Sequence, residues 1–178
     1  MSFRAILGPN ALRQAIRRRE DSTTRDQRIV HESTRLVFCV YYGISVSEVR
    51  ISDGIPLVRY QSEYAFRDSN SLRNCIQMIM SGVIAVQSVL GQENRLFEPA
   101  LKEAQQLFEL TSGTSNESLK EFDDVVSKCS KRAIAQMADP KMRSAMASVT
   151  RILIRERSDI RDERLDQLLR QARQKFSV

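Results

Sequence analysis

The sequence predicts an all-α fold of seven to nine helices in two helical halves. Three observations carry that expectation. Apolar residues recur three and four positions apart along most of the chain. Capping residues and Gly or Pro stops fall at helix-length intervals. No window shows strand alternation bounded by hairpin turns.

Pro9 suits the first turn of a helix running to about Glu20, with Leu12, Ala15 and Ile16 on its apolar side. Asp21, Ser22 and Thr23 offer capping oxygens for a second helix, from about Thr24 to Tyr42, that Gly43 would end. Its stripe is Ile29, Leu36 and Val40; Arg25, Arg28 and Arg35 follow a flank with Glu32 among them. Ser45 and Glu48 have capping-box spacing, which predicts a short helix there. Asp53-Gly54 is a turn signal, and Pro56 would open a helix to about Arg67. Val49, Ile51, Ile55 and Val58 also fit a small hairpin, which is the alternative reading of that stretch. Ser69 or Ser71 would cap the most apolar helix, which ends at Gly91. The loop after it divides the chain into an N-terminal half, 1–91, and a C-terminal half, 92–178.

The second half continues with helices from about Phe97 to Thr111 and from about Glu117 to Ala138. Asp139-Pro140 breaks the pattern and starts another helix, with Met142, Met146, Val149, Ile152 and Leu153 inside. Ser158 or Asp159 would cap a last helix, whose inner face is Leu165, Leu168, Leu169, Ala172 and Phe176. Apolar stripes bordered by charges, as on that helix, predict a homo-oligomer.

Chemistry-bearing motifs are few. His31 is the single histidine, with no cysteine nearby to complete a metal set, so a structural role is expected. Phosphate-cradling glycine loops and the G-x-S-x-G elbow are absent. Asp123 and Asp124 are adjacent on a helix and diverge by about 100°. The expectation is a protein that is not an enzyme, with no cofactor, no metal and no small-molecule substrate. Cys39, Cys75 and Cys129 are widely spaced among apolar neighbours and read as buried free thiols of a reducing compartment. The apolar run from Cys75 to Leu90 is too interrupted by polar residues for a membrane span, so a cytoplasmic protein without a membrane partner is expected.

Charge points to the partner. The chain carries a net +6, and 22 of its 28 basic residues are arginine. Residues 1–35 sum to +4 and residues 141–178 to +5, with a slightly acidic middle. If the two ends meet, they form one positive surface that attracts polyanions. Guanidinium forks grip phosphate oxygens two at a time. The candidate nucleic-acid-binding residues are Arg13, Arg17, Arg18, Arg19, Arg25 and Arg28 near the start, and Arg151, Arg155, Arg157, Arg161 and Arg164 near the end. No row of exposed rings is evident, so phosphate-backbone contact is favoured over base stacking. Two other readings remain. An RNA-packaging coat or nucleocapsid-like protein would use the same helices. Tyr42 to Arg50 also fits the turn and recognition-helix start of a helix-turn-helix DNA-binding regulator.

The stretches ALRQAIRRRE and RILIRERSDIRDERLDQLLRQARQKF, with the length and the charged ends, resemble the RNA-silencing suppressors of closteroviruses. The resemblance covers the whole chain as architecture and contains no short diagnostic motif. It implies a viral protein of the host cytoplasm that sequesters small double-stranded RNA (siRNA) through sequence-independent contacts, as a homo-oligomeric ring with a positive inner surface.

Overall fold

A computed structural model describes residues 9–91, 95–112 and 116–176, with side chains described from residue 25 onward apart from 116–119. The chain is largely helical. The described elements are α1 (Pro9–Tyr42), β1 (Val46–Ser52), β2 (Ile55–Tyr60), a 3₁₀ turn (Ser62–Phe66), α2 (Ser69–Leu90), α3 (Phe97–Ser112), α4 (Asn116–Met137), α5 (Pro140–Arg155) and α6 (Asp162–Gln174).

Two departures reduce the expected seven to nine helices to six among the described residues. First, the helices expected on either side of Asp21–Thr23 are one, a 34-residue α1 about 50 Å long. Asp, Ser and Thr cap a helix only where the backbone already leaves it, and neither Gly nor Pro interrupts this stretch. Second, the short helix at Ser45–Glu48 and the helix from Pro56 to Arg67 are replaced by an antiparallel hairpin and the 3₁₀ turn. Its two-residue loop is Asp53-Gly54, both at positive φ (52° and 74°), the geometry that matches strand twist. Pro56 is tolerated because Val58, two residues on, directs its N–H away from β1 to Glu32 Oε2 at 2.9 Å; no ladder donor is lost at Pro56. Because β1 occupies Val46–Ser52, the proposed recognition helix of a helix-turn-helix is not formed.

The stops fall where local chemistry places them. Gly43 and Gly91 follow α1 and α2 in left-handed backbone. Asp139 caps α5, accepting from the Lys141 N–H at 2.7 Å, with Pro140 in the first turn. For α2 the cap is Asp68 rather than Ser69 or Ser71, and its carboxylate accepts from the Ser71 N–H. Arg161 holds the N-cap position of α6, which neither Ser158 nor Asp159 fills.

Buried residues from both halves share one apolar core. α2 runs through it, burying Cys75, Ile76, Met78, Ile79, Met80, Val83 and Val86. It packs between α1 on one side and α3 and α4 on the other; α5 and the hairpin lie against α1, and α6 touches α5, α1 and β1. The expected stripes of α4, α5 and α6 are largely the buried ones: Phe122, Cys129 and Ala133; Met142, Val149 and Leu153; Leu165, Leu168 and Ala172. All three cysteines are free and buried, and burial pushes their thiols up, to about 12 for Cys39.

A polar network lies inside this core. Glu32, fully buried, has Oε1 3.0 Å from His31 Nδ1 and 3.8 Å from a buried Arg35 nitrogen. Arg35 also donates to Glu103 Oε1 at 2.6 Å, and Tyr60 OH donates to the same oxygen at 2.8 Å. The network therefore ties α1 to β2 and α3. The His31 ring lies against Gly82 of α2, where an added Cβ would come within 2.7 Å of His31 Cδ2. Helix propensity alone would favour Gly82→Ala by about 1 kcal/mol. The clash with a ring already held by Glu32 reverses the sign, and Gly82→Ala is expected to destabilise the protein by about 1–3 kcal/mol in urea titration. A more stable variant would show that the ring yields.

Candidate nucleic-acid interface

α5, PKMRSAMASVTRILIR, has four basic residues and no acidic one. Met142, Ala145, Val149 and Leu153 turn one face into the core, and Ser33 Oγ of α1 meets Thr150 Oγ1 at 2.8 Å. The exposed arc carries Lys141, Ser144, Arg151 and Arg155 along one line, while Arg143, about 160° round the helix from Lys141, lies on the other flank with Ala147 and the exposed Ile154. Ser144 keeps that line low between Lys141 and Arg151, so a polyanion can approach the helix between the cations. Arg151 lies along the helix, its Nε donating to the Ala147 carbonyl at 3.2 Å.

Arg25 of α1 and Arg157 meet where α5 stops. Arg25 of α1 donates to the Gly54 carbonyl (Nε, 3.1 Å) and to the Ile154 carbonyl (Nη2, 3.2 Å). Arg157 donates to the same Ile154 carbonyl at 3.5 Å. Arg25, Arg155 and Arg157 have no ion pair with a carboxylate among the described residues, although Asp53 adjoins Gly54 in the hairpin turn. The Ile154 carbonyl gathers both cations at the C-terminal end of α5, where the backbone dipole favours them.

The remaining expected residues divide differently. Arg161 pairs with Glu48 at 2.8 Å and Asp159 at 2.8 Å, and Arg164 with Glu156. Glu48 also draws in Arg50 and Arg59, at 3.5 and 3.3 Å. Asp159 Oδ1 accepts from the Ile51 N–H at 2.7 Å; that bond, with Arg161 beside it, holds the Asp159 carboxyl below the usual range. Val49 and Ile160 exchange backbone hydrogen bonds. Arg161 and Arg164 thus serve largely to pin α6 to the hairpin. Arg28 is partly exposed, 3.7 Å from Glu32. Arg13, Arg17, Arg18 and Arg19 lie on α1, outside the described side chains.

Sequence reasoning passed over Lys141 and Arg143. The available signal was the acid-free run between Asp139 and Glu156. It was diluted when charge was summed over residues 141–178, whose five acids all lie at or beyond Glu156.

Among the described residues no group of three or more His, Cys, Asp or Glu could hold a metal ion, and no helix is long and apolar enough to cross a membrane. No family model and no curated protein matches the chain.

Proposed function

We propose that the chain binds RNA through its phosphate backbone, with small double-stranded RNA as the ligand. The observation that carries this is the acid-free outward face of α5, which continues into Arg25 and Arg157. Lys141, Arg151 and Arg155, along about 21 Å of helix and flanked by Arg143, offer phosphates a line of donors with no competing carboxylate on that helix. Contact of this kind is independent of sequence. It suits A-form RNA, whose deep major groove hides its base edges.

The resemblance to the closterovirus suppressors supplies the setting: a homo-oligomer, a ring by that resemblance, that sequesters siRNA in the host cytoplasm and performs no catalysis. The test combines gel shifts on a short RNA duplex, single-stranded RNA and a DNA duplex of one sequence with light scattering of the free protein. Tightest binding to the RNA duplex by an oligomer is the expected result. Preference for long single-stranded RNA with filament growth would point instead to packaging. A monomer that ignores all three would remove the proposal.

A further inference from the structure

At the end of α5 opposite Arg155 lies a cleft of about 180 Å³, lined by Tyr41, Gln136, Asp139, Lys141, Met142 and Phe176. Its volume is below that of pockets for drug-sized ligands and suits a single ring system. Tyr41 stands at the end of α1, 47% exposed, and meets the Phe176 ring edge-on at 5.5 Å. The two rings form an apolar corner.

The polar groups of the cleft are mostly donors. Gln136 Oε1 accepts from Tyr42 OH at 2.8 Å and from Gln77 Nε2 at 2.7 Å. With Oε1 so engaged, the Gln136 NH₂ has no acceptor among the described residues. The Lys141 ammonium forms no ion pair among the described residues. Asp139 uses one oxygen as the cap of α5, leaving the other as an acceptor. A planar heterocycle with acceptors and an amine on its edge, joined to a phosphate, matches this set. The ring would rest on Tyr41 and Phe176, the edge would meet Gln136 and Asp139, and the phosphate would meet Lys141.

We infer that the cleft takes one unpaired nucleotide at the end of an RNA strand whose backbone lies along α5. This rests on the RNA reading above. Lys141 both lines the cleft and lies on the exposed line of α5 with Arg151 and Arg155, so a strand along that line would reach the cleft at Lys141. One ring pair serves one base; it is not a platform for a whole strand.

The experiment compares the wild-type chain with Tyr41→Ala on a blunt RNA duplex, on the same duplex with two unpaired nucleotides at each 3′ end, and on adenosine monophosphate alone. Stacking one base on an aromatic ring is expected to make the overhang duplex bind about tenfold tighter than the blunt one. Tyr41→Ala should erase that difference and leave blunt-duplex affinity unchanged. Binding of the mononucleotide that is lost in Tyr41→Ala, without an overhang effect, would support the same chemistry with the free nucleotide as its source. Equal affinity for blunt and overhang duplexes, with no mononucleotide binding, overturns the inference while leaving duplex binding in place. If no RNA binds, the RNA reading fails, and the mononucleotide arm alone decides the cleft. If Tyr41→Ala does not fold, a 4-thiouridine at the overhang, photo-crosslinked to wild type, replaces it. A crosslink to Tyr41 or Phe176 supports the site, and one mapping elsewhere overturns it.

Discussion

Glu32→Gln is expected to destabilise the protein by about 3–5 kcal/mol, because it leaves the buried Arg35 guanidinium without one of its two carboxylates. For a chain of this length that corresponds to a fall in Tm of roughly 10 °C or more. The effect should depend on pH with a definite sign. Burial would raise the Glu32 carboxyl; Arg35, the His31 hydrogen bond and the Val58 N–H outweigh it and hold the carboxyl below its usual value. A carboxyl depressed in the folded state contributes stability that is fully present above its unfolded pKa, about 4.3, and is lost as pH falls through the folded value. Wild type should therefore lose stability below about pH 4 more steeply than Glu32→Gln, so the two melting curves converge in acid. Thermal melts between pH 3 and 7 measure this. Parallel curves, or a variant as stable as wild type at pH 7, would show that the buried pair contributes little.

The double substitution Arg151→Gln/Arg155→Gln is expected to weaken binding of every RNA duplex alike, by roughly tenfold or more at low salt. The log–log salt slope should flatten by about 0.9 for each contact removed, a B-DNA value carried over to the RNA duplex. Both side chains are exposed and without carboxylate partners among the described residues, so melting temperature should stay near that of wild type. The contrasting pair is Arg161→Gln/Arg164→Gln. These arginines are already matched by Glu48, Asp159 and Glu156, so the expected loss is in the docking of α6 on the hairpin, with the salt slope little changed. If the two pairs exchange behaviour, the binding surface lies on α6 instead of α5. If neither changes RNA affinity or slope, the arginine face is solvated surface only.

Local signals in the sequence determined most of the helical framework. α2 to α5 begin or end near Asp68, Gly91, Ser112 and Asp139-Pro140, because capping and chain breaking need only a few neighbouring residues. The cysteines and most stripe residues are buried as their spacing predicts, since a helix fixes which side chains share a face. What the sequence left ambiguous, long-range contacts resolved. Ser45-x-x-Glu48 reads first as a helix start, and the hairpin over Val46–Val58 is the lesser local reading. Bonds from Glu32 to Val58 and from Ile160 to Val49 select the hairpin. The arginines divide for the same reason. Arg157 and Arg161 are four residues apart and indistinguishable by composition. A carboxylate more than a hundred residues earlier, Glu48, reaches Arg161 and not Arg157, and only the tertiary fold places it there.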